Sequence, residues 1–312
     1  MARRTGDGTG ERLRGGHPLV AALHLGPEPG DVAGNLLLAQ SAITKTKRAH
    51  PALRWIVLPE LFTTGYAGLS MVHHHAEDAE NGPSARFFAS LARRLDLYIA
   101  YGFPEKRRGD PGGISDSANL TGPRGLLLTY RKRQLVCTTG EPGVFVPGCE
   151  VPVVRAGGAS VALVICWDLG SPEAVREAAF GGADLILAPA GWRYPWGRQY
   201  NLACAARALD NGVYLASANQ LGVYPEASFD APGGVYGPDG SRLSGSTGLD
   251  SVGEIDPCLP ERWRTAFGNT PPEHGGTWAP QPFFQAPSSE SAARNRATRN
   301  TLLPATSLPP EI

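Results

Sequence analysis

Short apolar runs alternate along this chain with segments whose apolar residues recur every three or four positions. The short runs predict buried strands, and the longer spacing predicts helices with one apolar face. In the first pair, a helix carrying Val32, Leu36, Ala39 and Ile43 precedes a strand over 55–58. Because helices and strands keep alternating to about residue 240, the pattern predicts a layered α/β domain.

The same reasoning predicts the remaining elements. Ser171-Pro172-Glu173 has the residue types of a helix start, with a side-chain oxygen that can cap free amides. Gly122-Pro123 predicts a turn between two strands. The further predicted helices cover 83–94, 172–180 and 196–210, and the further strands cover 97–103, 118–120, 126–130, 160–165, 183–188, 213–218 and the residues that enter a turn at 234–240.

Both ends of the chain differ from its middle. Residues 1–17 hold arginines and glycines without the apolar stretch of a secretory signal, so we expect a flexible N-terminal segment. Residues 18–262 carry the alternating pattern of the domain. Residues 263–312 are rich in proline and serine, which predicts a poorly ordered tail. The pair Phe283-Phe284 favours the alternative that this tail packs across a dimer partner.

Composition narrows the class of protein. The 312 residues carry 29 basic and 29 acidic side chains, so the usual electrostatic argument for nucleic-acid binding is missing. No segment is long enough to cross a bilayer, and we expect no membrane partner. The cysteines are odd in number and lack paired metal-site spacing, which predicts a reducing, cytoplasmic location. They are Cys137, Cys149, Cys166, Cys204 and Cys258.

Three apolar runs end in an ionisable residue: Glu60, Lys132 and Cys166. Taken singly, each has an ordinary interpretation: Glu60 as a capping carboxylate, Lys132 as a surface amine and Cys166 as a small buried hydrophobe. Taken together, they supply the acid/base, the cation and the nucleophile that attack on an amide carbonyl requires.

The residues around these three form a motif set that resembles the nitrilase superfamily of carbon-nitrogen hydrolases, in its amidase-like branch. The resemblance runs from about Leu19 to about Asp256. The matching segments are Pro59-Glu60-Leu61-Phe62 with Gly65-Tyr66, Arg131-Lys132 with Leu135, Gly140-Glu141 with Phe145 and Pro147-Gly148, Cys166-Trp167-Asp168 with Pro172-Glu173 and Arg176, and the stretches 182–190 and 207–214.

The resemblance implies a four-layer αββα sandwich, stacked into homodimers or higher homo-oligomers. It also implies that Glu141 is a supporting glutamate beside a triad of Glu60, Lys132 and Cys166. We expect no metal and no organic cofactor. Our hypothesis is that Cys166 attacks the amide, Glu60 moves the proton, and Lys132 with the next backbone amide stabilises the oxyanion, through a thioester. Asp168 is interpreted as a structural carboxylate that binds backbone groups.

The substrate is less well defined by the sequence. Tyr66, Trp167 and Trp192 are candidate substrate-binding residues. Leu169-Gly170-Ser171 lacks the arginine that carboxylate-binding family members often have here, which favours a small or uncharged amide. Arg193 and Arg198 are placed where they could restore anion recognition. A nitrile or an N-carbamoyl amine remains an alternative substrate.

Other classes of protein stay open. His73-His74-His75 could indicate a metal-dependent amidohydrolase, but adjacent histidines rarely converge on one ion, and we predict no metal site. A papain-like enzyme would need a histidine at a strand end, and none is placed there. The last alternative is a family-like binding subunit without catalysis, against which the intact Glu60, Lys132, Glu141 and Cys166 argue.

Overall fold

The computed structural model describes residues 17–66, 69–110, 112–245 and 250–267. Within them the helices are α1 (Val32–Ala49), α2 (Val72–His75), α3 (Pro83–Leu95), α4 (Glu173–Phe180), α5 (Gly197–Asn211) and α6 (Leu259–Phe267). The strands are β1 (Leu19–Leu23), β2 (Leu53–Val57), β3 (Tyr98–Lys106), β4 (Ile114–Gly122), β5 (Gly125–Arg131), β6 (Val153–Ala156), β7 (Ala159–Leu163), β8 (Leu185–Ala190), β9 (Tyr214–Asn219), β10 (Gly222–Tyr224), β11 (Ala227–Phe229), β12 (Gly234–Tyr236) and β13 (Asp250–Glu254).

These strands form two large sheets and one hairpin. The six-stranded sheet has the order β13-β1-β2-β3-β4-β5, and the five-stranded sheet has the order β12-β9-β8-β7-β6. In the first sheet, β1, β2 and β3 run parallel; in the second, β7, β8 and β9 do so. Antiparallel strands flank both parallel groups. The carboxyl ends of the two parallel groups therefore carry the loops in which a site can form.

Side-chain alternation along the strands defines the layers. On β1, Val20 and Ala22 belong to the core cluster that includes residues of both sheets, whereas Ala21 and Leu23 belong to the cluster that α1 and α3 cover. Alternate residues of a strand point to opposite faces, so the first sheet is buried on both sides. Helices α4 and α5 contribute buried residues to the cluster on the second sheet. The αββα sandwich predicted from the family resemblance is confirmed.

Local signals account for the helix ends. Asp31 caps α1, because its side chain accepts a 2.9 Å hydrogen bond from the Gly34 N–H. Helix α3 begins with Pro83, and it ends at Asp96 in the left-handed conformation with φ 50°. The predicted cap at Ser171 is wrong. Its hydroxyl has no partner among the described residues, and α4 begins after Pro172 without a side-chain cap.

The two predicted chain ends lie mostly outside the described residues. Of the predicted N-terminal segment, only His17 is described. Helix α6 crosses the predicted boundary at residue 262 and continues to Phe267, whose ring lies 4.6 Å from that of Trp263. The structured part thus extends into the predicted tail. The rest of that tail, including Phe283-Phe284, is not described. In the described part of the chain, no helix combines the length and apolar character needed to cross a membrane.

Candidate active site

Glu60 lies in the tight turn after β2. The next residue, Leu61, has φ 45°, and the turn packs so closely on β3 that a side chain at Gly102 would lie 2.5 Å from the Leu61 nitrogen. The Glu60 N–H donates to the Ala190 carbonyl at the end of β8, 3.3 Å away. This bond joins the turn to the second sheet. The carboxylate itself is fully buried, and its Oε2 has no partner among the described residues.

Lys132 follows β5 and points into the space between the sheets. Its Nζ lies 2.6 Å from Glu60 Oε1 and 2.9 Å from the Glu141 carboxylate. Burial alone lowers the pKa of the Lys132 ammonium, but Glu60 and then Glu141 outweigh burial and raise that pKa well above its usual value. Lys132 is therefore a fixed positive charge at any physiological pH.

Glu141 is held by three kinds of donor. Besides Lys132, the Tyr66 hydroxyl donates a short hydrogen bond to its Oε1, and the Val136 N–H donates to Oε2 over 2.9 Å. The carboxylate is fully buried in a short helical turn, Glu141–Gly143. Glu141 thus lies next to the lysine, and its supporting role in catalysis stays a prediction. Tyr66, predicted to bind substrate, contacts this glutamate through its hydroxyl.

Cys166 sits at a backbone elbow directly after the second sheet. It has φ 45°, in the left-handed region that non-glycine residues rarely adopt, at the start of a 3-10 turn over Cys166–Gly170. Asp168 holds this elbow, since it accepts hydrogen bonds from the Ile165 N–H at 2.9 Å and the Tyr130 hydroxyl at 2.7 Å. The Gln134 N–H donates to it as well. The structural interpretation of Asp168 therefore agrees with its contacts.

The Gly191 backbone lies against both the Cys166 thiol and the Glu60 carboxylate. A Cβ at this position would lie 2.8 Å from Glu60 Oε2, so only a glycine leaves room for the carboxylate. The Gly191 backbone also forms a hydrogen bond that lowers the pKa of the Cys166 thiol. Burial, followed by the Glu60 charge, dominates and raises that pKa well above its usual value. The resting thiol is therefore protonated and needs a base to become a nucleophile.

Aromatic side chains form one wall beside the thiol. The Trp167 and Trp192 rings lie 5.1 Å apart, and the Trp192 and Tyr200 rings lie 5.2 Å apart. Trp192 is buried, while Trp167 is 36% exposed. Asn219 fixes the Trp192 backbone from both sides, because it accepts from the Trp192 N–H at 2.6 Å and donates to its carbonyl at 2.9 Å. Sequence reasoning missed this role of Asn219.

The remaining residues predicted from the sequence are two arginines and a run of three histidines. The Arg193 guanidinium lies 5.2 Å from the centroid of the Tyr66 ring, and its Nε is buried without a partner among the described residues. Arg198 is exposed. His73 and His74 are exposed on α2, and the described ranges hold no group of three or more metal-ligating side chains arranged to bind an ion.

Sequence reasoning also missed Asp116. This residue lies on β4 and is 1% exposed, with Oδ2 3.6 Å from Lys132 Nζ. Along β4, Ala118 and Leu120 share its face toward the sheet interface, so an aspartate interrupts an apolar row. That interruption was a signal available in the sequence. The site therefore contains three buried carboxyl groups around one lysine.

These contacts bring a buried thiol, a buried carboxylate whose Oε2 has no partner among the described residues, and a lysine ammonium to one place between the sheets. Comparison with known protein families leads to the same class of enzyme that the sequence motifs indicate. The model of the carbon-nitrogen hydrolase family matches residues 19–257. The chain belongs to the carbon-nitrogen hydrolase family. Within the nitrilase superfamily, which that family represents, this carbon-nitrogen hydrolase falls in the amidase-like branch.

Individual relatives fit this assignment. A probable nitrilase from Schizosaccharomyces pombe is 32% identical over 225 residues, which cover 72% of this chain and 82% of that protein. An (R)-stereoselective amidase from Pseudomonas sp. is 28% identical over 236 residues, which cover 76% of this chain and 83% of that protein. The crystal structure of an amidase from Nesterenkonia sp. superimposes with a TM-score of 0.70 at 27% identity, covering 84% of this chain and 98% of that one.

Proposed function

We propose that this carbon-nitrogen hydrolase is a thiol-dependent amidase that converts a small amide to a carboxylic acid and ammonia. The observation that carries the proposal is the position of Lys132, bound to both Glu60 and Glu141 in a buried site next to Cys166. An amide carbonyl needs a nucleophile, a base and a donor for its oxyanion, and these residues supply the three together.

In the first half of the reaction, Glu60 takes the proton from the Cys166 thiol as the sulfur forms a bond to the carbonyl carbon. The electron pair of the C=O bond moves to oxygen. Lys132, whose ammonium has one N–H left after bonding Glu60 and Glu141, stabilises that oxyanion together with the backbone N–H that follows Cys166. Glu60 then gives the proton to nitrogen, the C–N bond breaks, and ammonia leaves a thioester behind.

In the second half, a water molecule attacks the thioester. Glu60 takes a proton from this water as its oxygen bonds to the carbonyl carbon, and a second oxyanion forms at the same position. When that intermediate collapses, the C–S bond breaks and Glu60 returns the proton to the thiolate. The carboxylic acid leaves, and the thiol is restored without any metal or organic cofactor.

The surroundings of the thiol support a short, uncharged acyl group. Cys166 is only 5% exposed, and Trp192 beside it is equally buried, so little space reaches the sulfur. Glu60, Lys132 and Glu141 bind one another and leave no net positive charge for a substrate carboxylate. A cysteine-to-alanine mutant of the amidase from Nesterenkonia sp. AN1 was solved in complex with butyramide, which is an amide of this kind.

The test is ammonia release from aliphatic amides, ω-amido acids, N-carbamoyl amines and nitriles, measured for the native chain and for Cys166→Ala. We expect release from short aliphatic amides, with a loss of at least about 10⁴-fold in the variant. Cys204→Ala is the matched control, because Cys204 is also a buried thiol but lies elsewhere, on α5. It should keep its activity.

Each other outcome has a distinct meaning. Thiol-dependent release from nitriles or N-carbamoyl amines alone would replace the amide by that substrate class. Equal activity in both variants would remove Cys166 as the nucleophile. No release from any compound, together with a Cys166 that alkylating reagents do not modify, would favour a binding subunit.

A further inference from the structure

Asp116 is a buried carboxyl group that the reaction described above does not use. Neither of its side-chain oxygens has a hydrogen-bond partner among the described residues, although the group is 1% exposed. Lys132 Nζ, at 3.6 Å, is too far for a good hydrogen bond. A buried ionised carboxylate without donors is costly, and this one requires an explanation.

The cluster contains more acidic groups than basic groups. Glu60, Glu141 and Asp116 surround the single ammonium of Lys132. If all three carboxyl groups were ionised, the buried cluster would carry two uncompensated negative charges. Carboxylates that surround one ammonium in a low-dielectric interior repel one another, and this repulsion favours binding of a proton by one of them.

The hydrogen bonds identify which carboxyl group holds that proton. Glu141 accepts from Lys132, Tyr66 and Val136, all of which stabilise its ionised form. Glu60 accepts from Lys132 at 2.6 Å. Asp116 accepts from no described side chain, although it lies around the same ammonium as Glu60, 3.6 Å against 2.6 Å from Lys132 Nζ. Burial and then the Glu60 charge raise the pKa of Asp116 well above its usual value.

We propose that Asp116 carries a proton and donates it in a hydrogen bond to Glu60, as a positioning residue for the amide hydrolysis proposed above. In that state Glu60 is held between two donors, Lys132 and Asp116, and stays ionised until the thiol gives up its proton. No charge on Asp116 then competes for the third N–H of Lys132. That donor is left for the oxyanion.

Other charged groups near β4 do not disturb this arrangement. Glu105 and Arg131 lie on the two strands that flank β4, but Glu105 also accepts from Ser117, which points to the opposite face from Asp116. Arg131 pairs with Glu105 at 2.5 Å. The groups that face Asp116 are therefore Glu60 from the turn after β2, Lys132 from the end of β5, and Glu141 from its helical turn.

The proton on Asp116 can be observed without any substrate. Infrared difference spectra between the native chain and Asp116→Asn, at about pH 7, should contain the C=O stretching band of a protonated carboxylic acid, shifted in D2O. Asn keeps a donor and the shape of the side chain but has no acidic proton. If the difference contains only carboxylate bands, the proposal is wrong. Thr121→Val, a buried polar change on the same strand, should give no such band.

The positioning role needs a second readout, the pH profile of kcat/KM. Asp116→Ala removes the donor to Glu60, so protonation of the base should begin at higher pH; we expect the acid limb to move up by about one pH unit, a roughly tenfold loss at low pH. Asp116→Asn should keep the limb near its native position. An Asp116→Ala variant that is only less stable, with an unmoved limb, would reduce Asp116 to a structural residue.

These two readouts separate the inference from the proposed function. If no amide is hydrolysed but the infrared band is present, the proton on Asp116 stands while the amidase proposal fails. If amides are hydrolysed and the band is absent, the amidase proposal stands and this inference fails. Should Asp116→Ala fail to fold, the isosteric Asp116→Asn still decides the protonation state.

Discussion

The two sheets contribute different kinds of group to the site. The six-stranded sheet supplies the charges: Glu60 after β2, Asp116 on β4 and Lys132 after β5 are all buried, and both carboxyl groups lie around the Lys132 ammonium. The five-stranded sheet supplies Cys166, a neutral thiol, and the aromatic wall around Trp192. One side is thus stabilised by paired charges, and the other by a backbone elbow and packing.

This difference predicts that stability and activity depend on the two sides unequally. The charges of the first sheet compensate one another, so removing one leaves the others buried without a partner. The thiol of the second sheet carries no charge that others need. Its left-handed backbone is held by Asp168 and Tyr130, both of which would remain after its loss. Removal of a charge on the first side should therefore lower the stability of the whole fold. Removal of the thiol on the second side should lower activity and leave stability nearly unchanged.

The largest expected effect is that of Lys132→Met. It leaves Glu60 and Glu141 without their shared cation, and we expect the free energy of unfolding to fall by about 3–5 kcal/mol. Activity on amides should fall at least about 10³-fold, because the oxyanion loses its charged donor and keeps only the backbone N–H. Urea unfolding and ammonia release measure the two effects.

Two variants calibrate this result. Lys45→Met removes an exposed lysine charge on α1 and should change neither quantity. Cys166→Ala should lose its activity and keep its stability to within about 1 kcal/mol. If Lys132→Met is as stable as Cys166→Ala, the proposed division between the charged side and the thiol side does not hold.

The sequence predicted the thiol side and the outline of the charged side for an identifiable reason. Glu60, Lys132 and Cys166 each end an apolar run, and position relative to a strand end is readable from a linear pattern. Asp116 was missed because its strand was predicted only from residue 118, which left the aspartate outside the alternating row. Asn219 was missed because its contacts join the end of β9 to Trp192 in the loop after β8, and such long-range contacts have no local signature in the sequence.

A third region, around His24, connects the two sheets. His24 follows β1, and its Nδ1 accepts from the Asn219 N–H at the end of β9, 3.2 Å away. Its other ring nitrogen, Nε2, therefore carries the proton and donates to the Ser251 hydroxyl at 3.0 Å. Since Asn219 also fixes the Trp192 backbone, a neutral His24 supports the aromatic wall from the opposite sheet.

This connection should make the protein sensitive to acid. Burial, with a smaller effect of Arg242, lowers the pKa of His24 from 6.5 to about 4. As pH falls, His24 thus binds a proton near pH 6.5 in the unfolded chain but only near pH 4 in the folded chain. The contribution of neutral His24 to the free energy of unfolding is therefore complete above pH 6.5. It is lost as pH falls from there to about pH 4, and the total loss is about 3 kcal/mol.

Urea unfolding of the native chain and of His24→Gln, at about pH 7 and about pH 4, isolates this contribution. Gln can accept from Asn219 and donate to Ser251 but does not titrate, so the loss of stability on acidification should be smaller by about 3 kcal/mol. His74→Gln, which changes an exposed histidine, should retain the native loss. An equal loss in His24→Gln and the native chain would mean that another group causes the acid sensitivity.

The smallest expected effect concerns Arg193, which lies where the charged side and the aromatic wall meet. Its guanidinium packs on Tyr66, whose hydroxyl binds Glu141, so Arg193→Met should lose a cation–π contact of about 0.5–1 kcal/mol and lower Tm by about 1–3 °C. If short neutral amides are the substrates, KM for them should rise no more than about twofold, as with the exposed Arg198→Met. A rise of tenfold or more that is confined to ω-amido acids would instead make Arg193, whose Nε has no partner in the described part of the chain, a carboxylate-binding group. The second sheet would then supply a charge of its own, and the contrast between the two sheets would apply to catalysis but not to substrate recognition.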